Sequence, residues 1–196
     1  TDAGMPCISD PGEDLVRLCA ENGIDTKVIP GPSAAVSALA LSGLDTGKFV
    51  FEGFLQPQAN ARRERLEELK LERRTIIFYE APHKLCDTLN AMYQVLGERK
   101  ITLARELTKV YEEVIRTTLS QAVELYIQRE PRGEFVLVVQ GAKEEQKLDF
   151  AQALALVQAL VERGEPLSKA AKDVARQTGF KKGELYSGFL EMPAQE

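Results

Sequence analysis

The sequence has no tryptophan, a single histidine and three cysteines in 196 residues. One histidine, His83, excludes a multi-histidine metal site. Its place just after Pro82 reads as a first helical turn, not as a catalyst, and no metal site is expected. Cys7, Cys19 and Cys86 are odd in number, widely spaced and free of any C-x-x-C, which fits a reducing compartment and not a disulfide framework. None has a base within its own motif, so all three read as core thiols and not as nucleophiles. Long apolar runs are missing too: nothing approaches the roughly 18 to 20 residues of a bilayer span. No signal-peptide pattern opens the sequence, and a cytoplasmic location is expected. Excess positive charge is also lacking. The formal net charge of −5 argues against indiscriminate coating of nucleic acid, although a local basic face remains compatible with one specific RNA. Neither G-x-G-x-x-G nor G-x-x-x-x-G-K-[ST] occurs, so the nicotinamide and nucleoside-triphosphate fingerprints are absent.

What is present alternates in the manner of an α/β protein. After the opening loop "DAGMPCISDPG", Ser9 or Asp10 can cap a helix with Pro11 in its first turn, running through "GEDLVRLCAEN" to Gly23. "TKVIP" reads as a short strand. "GPSAAVSALALSGL" reads as a helix capped by Ser33 and ending near Gly43. The strand-like stretches "KFVFEGF", "TIIFYE", "KITLARE", "VYEEVIRTT" and "GEFVLVVQG" follow, separated by the helical "ARRERLEELKLERR", "PHKLCDTLNAMYQVLG" and "LSQAVELYIQRE". From about Ala142 the character changes. A charged linker, "KEEQKLD", leads into a wholly helical tail read as three short helices. Between Arg163 and Glu184 the tail carries six basic residues against three acidic ones, in the size and arrangement of a helix-turn-helix module. Lys169, Lys172 and Arg176 share one helix face by their spacing, and Lys181 and Lys182 extend it; a merely solvated face is the alternative.

The opening loop packs two Asp, two Gly and two Pro ahead of a helix, the composition of a backbone-lined turn at a strand end, where open α/β sheets place ligands. By itself it could equally be a plain capped turn. The strand-end carboxylates and amine that could move a proton are Glu80, Glu106, Lys109 and Glu134, with Glu80 and Glu106 ranked first; Glu106 and Lys109 could also be a simple ion pair. Phe78 and Tyr79 read as core or pocket wall, although one exposed ring could stack on a nucleotide.

Seven separated stretches, "DAGMPCISDPG", "PGPSA", "FEGFL", "FYEAPHKL", "ARELTK", "GEFVLVV" and "AAKDVARQTGFKKGELY", resemble in order and spacing the bacterial ribosomal RNA small subunit methyltransferase I family of the tetrapyrrole (corrin/porphyrin) methylase superfamily. The last stretch is not found in the porphyrin enzymes of that superfamily. Met5 departs from the family, which has Thr there, so a backbone contact would survive and a hydroxyl contact would not. The resemblance implies a two-domain α/β methyltransferase fold lacking the start of its N-terminal domain, plus a small C-terminal helical module. The expected parts are 1–47, the remainder of the cofactor-binding domain; 48–142, a second α/β domain; and 148–196, an RNA-binding tail. The lone chain is then expected to bind cofactor weakly and to be inactive, and to associate as a homodimer.

The implied reaction moves the methyl group of S-adenosylmethionine to the ribose 2′-hydroxyl of a cytidine in small-subunit ribosomal RNA, free or in the assembled subunit. By position in the family pattern, Asp2, Ala3, Gly4 and Met5 form the cofactor loop, and Ser33 and Ala34 form a second wall. Tyr79, Ala104, Arg105, Glu134 and Phe135 complete the cofactor rim, and Lys169, Lys172, Arg176, Lys181 and Lys182 meet RNA. The alternatives are a tetrapyrrole methyltransferase and a non-catalytic RNA-binding module using the tail and the Arg-rich 61–74 segment.

Overall fold

β-Branched and aromatic runs in the middle of the chain form one five-stranded sheet. In the computed structural model, which describes residues 4–143 and 148–192, the strands are β1 (Phe49–Phe54), β2 (Thr75–Glu80), β3 (Lys100–Arg105), β4 (Glu113–Thr118) and β5 (Phe135–Val139). Their order is β1-β2-β5-β3-β4. Only β1 and β2 run parallel; β5 lies between β2 and β3 and is antiparallel to both. β3 and β4 form a hairpin whose last pair is Arg105 and Glu113.

The period of two along each strand divides the core. Ile76, Phe78, Ile101, Leu103, Phe135 and Leu137 face one cluster with Leu85, Leu89 and Met92 of α4 (Leu85–Leu96) and Leu119 and Ala122 of α5 (Leu119–Gln128). Ile77, Ala104, Val136 and Val138 face the other cluster, against Ala35, Ala38 and Leu39 of α2 (Ala34–Ser42). Ser33 is the N-cap of α2, and Gly43 ends that helix in the left-handed conformation, as the sequence predicts. The helix α3 (Ala59–Glu68) precedes β2, and a short 3₁₀ turn, Pro82–Lys84, leads into α4.

Two local expectations fail. α1 spans Glu13–Glu21, but the residue at its N-cap is Gly12, not Ser9 or Asp10, and Pro11 stands outside the helix. "TKVIP" forms no strand: it pairs with none of the five strands and leaves Val28 65% and Ile29 88% exposed. A strand exists only through its ladder, and local β-propensity does not supply a partner. The cysteines also depart from the core reading. All three are free and half-buried; Cys86 packs against the first cluster, whereas Cys19 lies on α1, a helix without a buried residue.

The chain divides into two compact units, 1–143 and 144–196. In the second unit α6 (Phe150–Glu162), α7 (Leu167–Thr178) and α8 (Lys182–Leu190) surround Ala153, Val157, Ala170, Ala171, Val174 and Leu185. α6 opens on a reciprocal cap: Asp149 accepts from Gln152 N at 2.7 Å, and the Gln152 side chain accepts from Asp149 N at 3.1 Å.

Candidate active site

The sheet gathers most of the predicted site residues at one end. Tyr79 and Glu80 close β2, Ala104 and Arg105 close β3, and Phe135 opens β5; register places Glu80 and Arg105 on either side of Phe135, and Tyr79 and Ala104 on either side of Val136. Glu106 and Glu134 follow and precede these strands. They are locked together, Glu106 N donating to Glu134 O at 3.1 Å and Glu134 N donating to Glu106 Oε1 at 3.0 Å.

Two loops join this rim through Tyr79 and β1. Ala35 N, in the first turn of α2, donates to the Tyr79 hydroxyl at 3.1 Å, which brings Ser33 and Ala34 to the end of β2. The opening loop rests on the same segment: Met5 N donates to Pro32 O at 3.0 Å, and Gly31 N points at Met5 Sδ at 3.3 Å. Gly4 has φ +80, and a Cβ there would fall 2.6 Å from Pro32 O, so the close approach of the two loops requires glycine. Asp2 and Ala3 lie outside the described residues. The Tyr79 ring packs edge-to-face on Phe51 and Phe54, with centroids at 5.0 and 5.6 Å.

The two ranked carboxyl groups differ sharply. Glu80 is 3% exposed and both its oxygens are engaged, Oε2 accepting from the Thr88 hydroxyl at 2.6 Å and Oε1 from Ala81 N at 2.9 Å. Glu106 sits half-open at the rim in a left-handed backbone, φ 50. Its Oε1 also takes Lys109 Nζ at 3.0 Å, and Lys109 reaches Glu134 Oε2 at 3.5 Å. The Glu134 amide and then Lys109 hold the Glu106 carboxyl below the usual carboxylate range, while Glu106 raises Lys109. Gly133 makes room for this group: a Cβ there would stand 2.5 Å from Glu106 Cγ. Beside it, Glu113 accepts from Arg129 at 2.9 and 2.6 Å and lies 3.2 Å from Arg105 Nε; Arg129 first, and Arg105 after it, lower its pKa.

Ala104 and Phe135 are buried, and the Phe135 ring packs on Tyr126, so only their backbone faces the rim. His83 stands in the 3₁₀ turn before α4. The three roles that sequence reading missed are Tyr79 as the anchor of α2, Thr88 as the partner of Glu80, and Gly133 as the seat of Glu106. Only Gly133 carried a local signal, a glycine opening a strand beside a rim carboxylate. A cavity of about 230 Å³ lies at the opposite end of the sheet, lined by Gly43, Asp45, Arg73, Thr75, Lys100 and Gly141 among others, and holds none of the predicted site residues.

Lys169, Lys172, Arg176, Lys181 and Lys182 belong to the second unit and are all exposed. Lys169 pairs with Glu165 at 3.0 Å, Lys181 with Glu184 at 3.6 Å, and Lys182 donates to Ser168 at 2.9 Å. In the Arg-rich segment, Arg62 is buried and donates to Pro57 O, and Arg65 donates to Glu52 through Nε and Nη2, at 2.8 and 2.9 Å. These two guanidinium groups serve the fold itself.

The Tetrapyrrole (Corrin/Porphyrin) Methylases family model matches residues 1–123. The chain is 43% identical over 197 residues to the ribosomal RNA small subunit methyltransferase I of Synechocystis sp., covering 99% of this chain and 71% of that protein. It is 44% identical over 192 residues to the protein of the same name from Halalkalibacterium halodurans, covering 95% of this chain and 66% of the relative. The chain thus spans about two thirds to seven tenths of the length of these relatives. Among solved structures, the methyltransferase CobJ superposes with a TM-score of 0.54 at 19% identity, over 71% of this chain and 62% of that one, a likeness of fold. The chain belongs to the tetrapyrrole (corrin/porphyrin) methylases and, within them, to the ribosomal RNA small subunit methyltransferase I family.

Proposed function

We propose that the protein carrying this chain transfers the methyl group of S-adenosylmethionine to the ribose 2′-hydroxyl of a cytidine in small-subunit ribosomal RNA. The observation that carries this reading is the identity of 43 to 44%, over nearly the whole chain, to relatives named ribosomal RNA small subunit methyltransferase I. The rim fits such a cofactor by its donor set. Ser33 makes no side-chain cap bond, so its hydroxyl and the N–H groups at the start of α2, apart from the Ala35 N–H held by Tyr79, suit a carboxylate, and the glycine-dependent loop at Gly4 and Met5 offers backbone beside them. When bound, the cofactor supplies an electrophilic methyl group on a sulfonium.

Around it, Gly4, Met5, Ser33, Ala34 and Tyr79 would hold the cofactor with Asp2 and Ala3, and Ala104, Arg105, Glu134 and Phe135 would contribute rim backbone. The attacking hydroxyl must lose a proton, and Glu106 Oε2 is the atom assigned to receive it. Its partner oxygen is already fixed by Lys109 and the Glu134 amide, so the carboxylate is ionised and oriented before the hydroxyl arrives. Glu80, with both oxygens engaged, supports the turn into α4.

In the second unit, Lys169, Lys172, Arg176, Lys181 and Lys182 meet RNA phosphates; these cations are exposed, and Glu184, the partner of Lys181, is exposed and exchangeable. The division at 1–47, 48–142 and 148–196 belongs to this proposal. So do a cytoplasmic setting and a homodimer, the latter supported by the apolar surface open at Leu15, Leu18, Val28 and Ile29. The test offers a labelled methyl donor with isolated small subunits, naked RNA and a porphyrinogen. Label in RNA is expected; label in the porphyrinogen alone, or in nothing, overturns the reading.

A further inference from the structure

We infer that Tyr111, at the tip of the β3–β4 loop, stacks on a nucleobase of the RNA substrate next to the methylated ribose; the inference rests on the reading that the substrate is RNA. Residues 106–112 join Arg105 to Glu113, the closing pair of the hairpin, so the loop projects from the end of the sheet that carries the candidate rim. It is held in one shape. Glu106 and Thr108 are both left-handed, with φ 50 and 66, a conformation that persists in non-glycine residues only where surroundings enforce it. Those surroundings are present: Lys109 N donates to Glu106 O at 2.9 Å, Glu112 N to Lys109 O at 3.1 Å, and the Glu112 carboxylate accepts from Thr108 N.

The tip of this pinned loop is apolar. Val110 is 93% and Tyr111 73% exposed, and folding gains nothing from either side chain there. Leu71 and Ile127 are as exposed but lie on other elements, whereas Tyr111 stands two residues after Lys109, which binds the rim carboxylate Glu106. A ring on a rigid loop loses little freedom on binding, and every nucleobase offers it a π-face. In-line attack by a ribose hydroxyl requires the target nucleotide to be held in one orientation, so a ring that stacks on a neighbouring base positions the hydroxyl without touching the reacting atoms. Tyr111 is therefore a substrate-positioning residue.

The absence of tryptophan from the sequence supplies the experiment. Tyr111→Trp introduces the sole indole of the chain, and Leu71→Trp is the control on a distant exposed site. Titration with a cytidine-containing RNA oligonucleotide is expected to quench the fluorophore at 111 saturably and to leave the one at 71 unchanged. In the methyl-transfer assay with the protein that carries this chain, Tyr111→Ala should raise KM for RNA by about 5- to 150-fold, the range for loss of one stacked base. Tyr111→Phe should restore KM, and cofactor affinity should be unchanged in both. If the parent binds RNA and Tyr111→Ala binds it equally well, the inference fails and the functional reading stands. No RNA binding by the parent overturns both. If sedimentation shows instead that Tyr111→Ala dissociates a dimer, the ring serves self-association and the inference fails.

Discussion

Tyr79→Phe isolates one bond on which the candidate site depends. The substitution keeps the ring and its contacts with Phe51 and Phe54 at 5.0 and 5.6 Å, and removes only the oxygen that accepts from Ala35 N at 3.1 Å. Ala35 is 4% exposed and stands in the first turn of α2, where no intrahelical carbonyl can replace the lost acceptor. An N–H left unpaired in such a place costs about 1 to 2 kcal/mol. For a unit of this size that corresponds to a fall in Tm of roughly 2 to 8 °C. Because α2 carries Ser33 and Ala34, cofactor affinity should fall together with stability. Tyr79→Ala would remove the ring as well and add about 3 kcal/mol or more. Thermal and denaturant unfolding of the three proteins, with calorimetric titration of S-adenosylmethionine, gives both readouts. A Tyr79→Phe protein as stable as the parent, with unchanged cofactor affinity, would refute the reasoning that this hydroxyl holds the second wall in place.

Gly141→Ala should destabilise by about 3 kcal/mol or more, because the new Cβ would lie 2.0 Å from Arg73 O, a backbone atom that cannot rotate away; an unchanged denaturation midpoint would contradict it. Glu113→Gln should cost about 1 kcal/mol at neutral pH, since Glu113, Arg105 and Arg129 are partly exposed. The folded-state pKa of Glu113 is lowered from 4.5, so its contribution is present above that value and is lost as pH falls through the folded-state pKa. Parent and variant stabilities should therefore converge in acid, as unfolding curves across pH would show. Substituting Lys169, Lys172 and Arg176 together by Gln should flatten the salt dependence of RNA binding by up to about two to three units while leaving cofactor affinity alone. A fall in turnover at saturating RNA with an unchanged salt slope would move the tail into the catalytic site.

The elements of the sheet and the helices on it were legible because a strand buried on both faces reads as an unbroken, β-branched apolar run, as in "TIIFYE" and "GEFVLVVQG", and burial of one helix face imposes a period of 3.6 on "LCDTLNAMYQVL". The second-unit helices were equally plain, although the D-x-x-Q signature of the cap at Asp149 passed as part of a charged linker. Sheet order was not legible, since nothing local says that β5 enters antiparallel between β2 and β3. "TKVIP" shows the converse, a strand-like composition without a ladder. The gathering of the site follows the same division. Strand ends could be named from the sequence, but the bonds that assemble them join residues far apart: Tyr79 to Ala35, Glu134 to Glu106, Met5 to Pro32. That Glu80 and Glu106 have different surroundings, one enclosed by Thr88 and the other open at Gly133, is likewise a tertiary fact.

The central claim is that this site directs a methyl group to a ribose oxygen of RNA. The most direct measurement incubates the protein that carries this chain with S-adenosylmethionine bearing a deuterated methyl group and with small ribosomal subunits lacking the modification. The RNA is then digested to nucleosides and analysed by mass spectrometry. The account predicts the heavy methyl on the ribose of cytidine, and its loss when Glu106 is replaced by Gln. Heavy methyl on the base of any nucleoside, or unlabelled RNA from a protein that binds the cofactor and the subunit, would contradict it.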